Sequence, residues 1–116
     1  MSKALLVPAD PEQPCRVIDF EADLKDIHEL GYVERCIYDR DATTWVNDDG
    51  WVRGLLANKR ASDYVVHRSL AAQQGRMTED YALAGPVVFT GPEPTQDVPE
   101  RLLKEFGLEP TQEIGL

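Results

Sequence analysis

The chain has 116 residues, of which 42% are hydrophobic and 28% charged, and 12 Lys and Arg face 21 Asp and Glu for a net charge of −9. This length and composition predict one globular domain, residues 1–108, and exclude the apolar-poor signature of a disordered protein. The charge disfavours direct nucleic-acid binding, and the absence of an apolar run of roughly 18–20 residues excludes a membrane helix, so we expect a cytoplasmic protein.

Short segments near the start of the chain have the patterns of strands. Lys3–Val7 is apolar and ends before a proline, and Arg16–Phe20 alternates, so we expect two paired strands. The spacing of leucine and isoleucine predicts a short helix over Asp23–Leu30. Tyr32–Asp39 carries β-branched and aromatic residues on both faces, which predicts a strand in the centre of the sheet.

A hairpin is predicted in the middle of the chain. Asn47–Gly50 separates the apolar segments Thr43–Val46 and Trp51–Leu55, and its final glycine permits the positive φ of a bulged turn. Trp45 and Trp51 then stand on opposite arms and share a face in one of the registers that the sequence leaves open.

Asn58 predicts the N-cap of a helix that reaches about Gln74, because its side-chain oxygen can accept from the first turn. The helix ends where Gly75 permits a left-handed residue. Tyr81–Leu83 is predicted as a short strand. The apolar stripe of the helix consists of Ala61, Tyr64, Val65 and Ala72.

The last third of the chain predicts one strand and one helix. Gly85–Gly91 encloses an apolar run that is typical of a buried strand. Asp97–Phe106 begins with a capping signature and ends before a glycine, so we expect a helix there. Its apolar edge consists of Leu102, Leu103 and Phe106. Residues 109–116 carry little apolar surface and are predicted to be a flexible tail.

Together these elements predict an α+β fold. We expect a two-layer sandwich in which two or three helices lie on a mixed or antiparallel sheet of about five strands. The strand order is open. Because small sheets leave unpaired edges, we also consider a homodimer formed through such an edge.

The order of several short sequence words resembles a known family. The chain contains in succession ALLVPADP, RVIDF, LGYVE, TTWVNDDGWVRGL, NKRAS and GPVVFTGP. Over about residues 3–92 this order resembles the phage and actinobacterial domain of unknown function 3846, whose motifs correspond here to Val46–Gly50, Asn58–Ala61 and Gly85–Val88. The resemblance implies a small accessory protein of phage or mobile-element origin, acting in the host cytoplasm, and it supplies no activity.

The sequence carries no catalytic signature such as G-x-S-x-G, a phosphate loop or a dinucleotide fingerprint. Cys15 and Cys36 lack metal or redox spacing, so we expect free thiols. His28 and His67 lie in different predicted helices without further ligands at zinc spacing. Asp39–Asp41 begins like a calcium loop but lacks its later ligands. We therefore expect a protein without enzymatic activity, metal or cofactor.

Basic residues are concentrated in the middle of this acidic chain. Residues 51–76 contain five basic residues and one acidic residue, a local excess of +4, whereas residues 1–31 and 92–116 each carry a net charge of −4. Since unpaired N–H groups at a helix N-terminus attract anions, this excess predicts an anion site at the start of the helix. The predicted site consists of Asn58, Lys59, Arg60, Arg53 and Arg68. The alternative is that Asn58 is only a cap and the cations are solvated.

Trp45, Trp51 and Tyr38 surround the predicted hairpin. They predict either an exposed aromatic patch that binds a partner or, more commonly in a small fold, part of the core. We expect a non-enzymatic accessory protein that binds an unknown protein partner, a host or phage macromolecule, through its acidic surface or this hairpin. A narrower version inhibits a host defence or nucleic-acid enzyme. The alternative is a protein that binds a nucleotide-like anion at the Asn58 helix start.

Overall fold

The computed structural model describes residues 2–20, 33–47 and 54–108, and their secondary structure consists of one sheet and three helices. The strands are β1 Lys3–Val7, β2 Arg16–Asp19, β3 Val33–Cys36, β4 Thr43–Asn47 and β5 Val87–Thr90. The helices are α1 Lys59–His67, α2 Leu70–Gln73 and α3 Glu100–Glu105. Within the described ranges, no helix has the length and apolar character that a membrane span requires.

The sheet is antiparallel throughout, with the strand order β2-β1-β5-β4-β3. The apolar run of β5 lies at its centre, where all four residues are buried. Leu5 of β1 pairs with Phe89, and Trp45 of β4 pairs with Val88. The prediction of an α+β sandwich with about five strands is therefore confirmed. Of the two predicted sheet types, mixed and antiparallel, the sheet is antiparallel.

Alternation along the central strands divides the core into two clusters, because successive strand residues face opposite sides of a sheet. Leu5 and Phe89 belong to the larger cluster, into which α1 and α3 pack Tyr64 and Leu102. The smaller cluster on the other face consists of Ala4, Leu6, Ile18, Phe20 and Val88, with Trp45 packed against it. Both faces of β1 and β5 are thus apolar.

The prediction of a central position for the strand after residue 32 is wrong, because β3 lies at an edge of the sheet beside β4. The apolar residues that suggested burial on both sides lie partly beyond the strand. Ile37 follows β3 and is 55% exposed.

At Thr44 and Trp45, β4 pairs with β3 on one side and with β5 on the other. The segment that was predicted as the second arm of the hairpin therefore does not pair with β4 at these two residues. Residues 54 and 55 belong to no strand. The hairpin turn and the remainder of the second arm lie outside the described residues, as do the predicted helix Asp23–Leu30 and the tail 109–116.

The predicted helix from Asn58 to Gln74 is two helices. Asn58 caps α1 as expected, but α1 ends at His67, and Ser69 caps α2 by accepting the N–H of Ala72 at 3.1 Å. The Ser69 hydroxyl also donates to the carbonyl of Val65 at 2.6 Å, so one side chain serves both helix ends. The interruption places Ala71, rather than Ala72, in the core.

Two smaller predictions near the end of the chain are also wrong. α3 begins at Glu100, because the carboxylate of Asp97 accepts the N–H of Lys3 at 2.9 Å instead of capping the helix. Tyr81–Leu83 is not a strand, and only an isolated bridge between Ala57 and Ala84 forms nearby. The predicted apolar edge of α3 is confirmed, with two buried leucines and a half-buried phenylalanine.

Candidate functional site

The segment 37–42 joins β3 to β4 and is tied to the helices by a buried carboxylate. Asp39 is only 5% exposed. It accepts the hydroxyl of Tyr64 in α1 at 2.8 Å and the backbone N–H of Leu70, the first residue of α2, at 2.9 Å. Burial of charge is costly unless hydrogen bonds compensate for it, so these contacts restrict the conformation of the segment.

Arg101 of α3 holds the other side of the same segment. Its guanidinium donates two hydrogen bonds to Asp41, at 2.8 and 2.5 Å, and a third to the hydroxyl of Tyr64 at 3.1 Å. It also lies 3.5 Å from Asp39. The hydrogen bonds from Arg101 lower the pKa of Asp41. Both neighbours of Arg40 in the sequence are therefore anchored.

Two clefts adjoin at Arg40. One has a volume of about 390 Å³ and extends toward Pro92 and Glu93, and the other has a volume of about 280 Å³ and extends toward Arg101. They share Asp39, Arg40 and Leu70. We refer to the pair as the Arg40 clefts.

The lining of the Arg40 clefts is more basic than the rest of the protein. The charged residues are Arg35, Arg40, Arg68, Arg76, Arg101, Asp39, Asp41 and Glu93. Five arginines against three carboxylates leave an excess of two positive charges among the lining residues, and the carboxylates of Asp63 and Glu105, which pair with Arg68 from outside the lining, offset that excess. Arg40 and Arg76, which have no carboxylate partner among the described residues, supply the positive charge that favours an anionic ligand.

Most of these arginines already have partners. Arg35 donates to the carbonyl of Pro92 at 3.0 Å and lies 5.8 Å from the centre of the Trp45 ring. Arg76 donates to the side chain of Gln74 at 2.9 Å. These contacts hold two guanidinium groups along the wall of the larger cleft.

Arg68, at the smaller cleft, contacts two carboxylates. It hydrogen-bonds to Asp63 at 2.6 Å and to Glu105. The bond to Asp63 is the main reason that the pKa of Arg68 is raised. Arg40 differs from its neighbours, because it is exposed and has no hydrogen bond or ion pair with another described residue.

Tyr38 and Ile37 give the larger cleft an apolar side. Tyr38 is 7% exposed, and its hydroxyl hydrogen-bonds to that of Tyr81. Burial, together with this bond, raises the pKa of Tyr38 far above the usual range of a phenol. Ile37 is 55% exposed, so it offers apolar surface next to the charged groups.

The sequence-predicted anion site has a different geometry from the one expected. Asn58 is fully buried, accepts the N–H of Ala61 at 3.1 Å and donates to the carbonyls of Val7 and Gly85 at 2.9 and 3.0 Å. Asn58 therefore has no exposed surface for an anion to contact, and its role as a helix cap is confirmed.

The predicted cations do not all converge on Asn58. Lys59 and Arg60 border a small cleft of about 160 Å³, and Arg60 donates to the carbonyls of Pro8 and Asp10. Arg68 lies past the opposite end of α1, a nine-residue helix about 14 Å long, and belongs to the Arg40 clefts. Arg53 lies outside the described residues.

The predicted aromatic patch is likewise divided. Tyr38 belongs to the larger core cluster, whereas Trp45 packs on the opposite face, 5.3 Å from the ring of Phe20. The indole N–H of Trp45 donates to the hydroxyl of Thr90 at 3.0 Å. Trp51 lies outside the described residues. Tyr38 and Trp45 therefore do not form one surface.

Sequence reasoning missed Arg35, Arg40 and Arg101 as members of a site. The available signal was the charged triplet Asp39–Asp41 between two strand segments, which was considered only as part of a calcium loop. Among the described residues, no group of three His, Cys, Asp or Glu side chains has an arrangement suited to a metal ion.

Comparison with known proteins places the chain in a family. A family model described as Domain of unknown function (DUF3846) matches residues 3–108. The chain belongs to the DUF3846 family. The resemblance was expected to end at about residue 92, but the match continues to residue 108 and includes α3. The part of the chain that matches DUF3846 therefore contains Arg101 and both Arg40 clefts. No curated protein and no solved structure showed a significant match.

Proposed function

We propose that this DUF3846 domain is a non-enzymatic binding protein that holds an anionic segment of a macromolecular partner, most simply a protein, in the Arg40 clefts. The observation that carries the proposal is the environment of Arg40. This exposed guanidinium has no described partner and lies where two clefts meet. The neighbouring arginines are largely neutralised by carboxylates or held by carbonyl and amide groups.

The anchoring of the segment around Arg40 supports binding. Asp39 and Asp41 hold the backbone on both sides of Arg40 through Tyr64, Leu70 and Arg101. A ligand that contacts Arg40 therefore orders one side chain rather than a whole loop. Because lost conformational freedom is subtracted from the binding free energy, this preorganisation favours affinity.

The form of the clefts favours a macromolecular segment over a compact small ligand. Pockets for small molecules are mostly apolar cavities of roughly 300–1,000 Å³ that bury nearly the whole ligand. Here the space is divided into two adjoining parts, of about 390 and 280 Å³, with charged groups along both. An extended segment that crosses Arg40 contacts both parts at once.

The resemblance supports an accessory protein of phage or mobile-element origin that acts in the host cytoplasm. The net charge of −9 supports a second mode, in which the acidic surface inhibits a host defence or nucleic-acid enzyme by replacing phosphates. In that mode, charge reversal on an acidic face, rather than at Arg40, abolishes binding.

The proposal is tested by affinity capture with three tagged proteins: the wild type, Arg40→Glu and Arg16→Glu. Arg16 is the matched control, because it is an exposed arginine on β2, at the sheet edge opposite β3. We expect Arg40→Glu to reduce recovery of the specific partner by about tenfold or more, since a like charge then faces the anionic segment. Arg16→Glu should recover the partner like the wild type. Equal recovery by all three proteins contradicts the proposal.

A further inference from the structure

We infer that the segment held in the Arg40 clefts is an acidic peptide with apolar residues between its carboxylates, not a phosphate backbone. This inference rests on the proposed function and specifies the chemistry of the partner. Three features of the clefts distinguish a peptide from a nucleic acid: the presence of acceptors as well as donors, the apolar surface beside Arg40 and the charge of the surrounding protein.

The Arg40 clefts offer hydrogen-bond acceptors together with guanidinium donors. The side chains of Glu93 and Asp41 are 63% and 50% exposed and line the larger and the smaller cleft, respectively, beside Arg35 and Arg101. A peptide has carboxylates for Arg40 and backbone N–H groups for these acceptors. A phosphate backbone supplies acceptors only, so it has no donor for either carboxylate.

Apolar surface accompanies the charged groups. Ile37 is 55% exposed on the larger cleft, and the half-buried Leu70 is common to both clefts. Burial of apolar area stabilises a complex, so an apolar side chain next to a carboxylate gains contacts here that a phosphate backbone lacks.

The charge of the whole chain restricts the length of an anionic ligand. A net charge of −9 repels a long polyanion, whereas screening limits that repulsion to about 8 Å at physiological ionic strength. A short acidic peptide stays beside the arginines that line the clefts. Arg40 binds a carboxylate through two parallel N–H groups, a geometry that a lysine does not reproduce.

The experiment titrates the full chain with four probes and follows backbone amide shifts by NMR. The probes are a short peptide of alternating Glu and Leu, the same peptide with Gln for each Glu, a single-stranded oligonucleotide and inorganic phosphate. We expect the Glu peptide to shift the amides around Ile37 and Arg40 and to bind about tenfold more tightly than the Gln peptide. Arg40→Ala should weaken it by about tenfold, Arg40→Lys by less, and Arg16→Ala should leave it unchanged.

Tighter binding of the oligonucleotide or of phosphate at Arg40, or equal binding of the Glu and Gln peptides, overturns the inference. If the acidic peptide fails to bind while Arg40→Glu still abolishes capture of a macromolecule, the inference fails and the proposed function stands. If Arg40→Glu has no effect on capture either, both fail. Because Arg40 has no described partner, its variants should fold, which a thermal melt of each variant verifies.

Discussion

Asn58 shows how one polar side chain can connect three elements of the core. Its oxygen caps α1, while its amide N–H groups satisfy the carbonyl at the end of β1 and the carbonyl of Gly85 before β5. Aspartate is as good a cap as asparagine on a protein surface, but it lacks the two donors. The buried position therefore requires the amide.

We predict that Asn58→Asp lowers the free energy of unfolding by about 3 kcal/mol or more, because it buries a charge against two carbonyls. Asn58→Ser, which keeps the cap oxygen and loses only the donors, should cost less, about 1–3 kcal/mol. Urea denaturation of the wild type and both variants measures the difference. An Asn58→Asp protein as stable as the wild type would show that capping alone explains the residue.

Arg40 has the opposite role at the residue scale. Asn58 is fully buried with every polar group in use, whereas Arg40 is exposed without a described partner. In both cases hydrogen bonds hold the neighbouring groups in place. An exposed side chain that has no described partner, between two anchored neighbours, is available for a ligand, and this contrast separates the structural asparagine from the proposed binding arginine.

At the scale of elements, the connection from β5 to α3 is unusually close-packed. Gly91 donates its N–H to the carbonyl of Gln96 at 3.0 Å, and a side chain at Gly91 would lie 2.7 Å from the carbonyl of Asp97. The same turn places Asp97 and Val98 against Lys3 of β1. The return of the chain to β1 delays the start of α3 to Glu100 and thereby positions Arg101.

We predict that Gly91→Ala lowers the free energy of unfolding by about 3 kcal/mol, because the methyl group meets backbone atoms that move only together with the turn. Gly75→Ala is the matched control. Gly75 has φ of +72° but nothing within 4 Å of the added carbon, so only conformational strain of about 1 kcal/mol applies. Chemical denaturation compares the two variants. Equal losses would indicate that the turn yields easily.

At the scale of the whole molecule, the sheet order determines where stability is concentrated. β5 pairs with β1 on one side and with β4 on the other, and its four residues are buried. β2 and β3 lie at the edges, each with one neighbour among the described strands. Edge strands open at a lower cost than central ones, because fewer contacts are broken.

We predict that amide hydrogen exchange is slowest in Val87–Thr90 and in Leu5–Val7 and faster in β2 and β3. The central amides should exchange only on global unfolding, which typically costs about 5–15 kcal/mol. Native-state exchange followed by NMR or mass spectrometry provides the measurement. Exchange in β3 as slow as in β5 would mean that the β3 edge is protected in solution, as in a dimer formed there.

Local patterns determined much of the fold. The apolar run before Gly91 identified β5, Asn58 identified the start of α1, and the leucines of α3 were correctly assigned to the core. Each of these depends on neighbours within a few residues, because strand alternation, helix capping and helical periodicity are short-range properties of the backbone.

Tertiary packing decided the rest. The position of β3 at an edge depends on β5 pairing with both β1 and β4, and the interruption after His67 depends on Asp39 binding the first N–H of α2. The Arg40 clefts combine residues from 35 to 101, which no local pattern brings together. The sequence by itself determined the central strands and the start of α1, whereas long-range contacts decided where the other elements end and which charges meet, because contacts between distant residues form only when the elements pack.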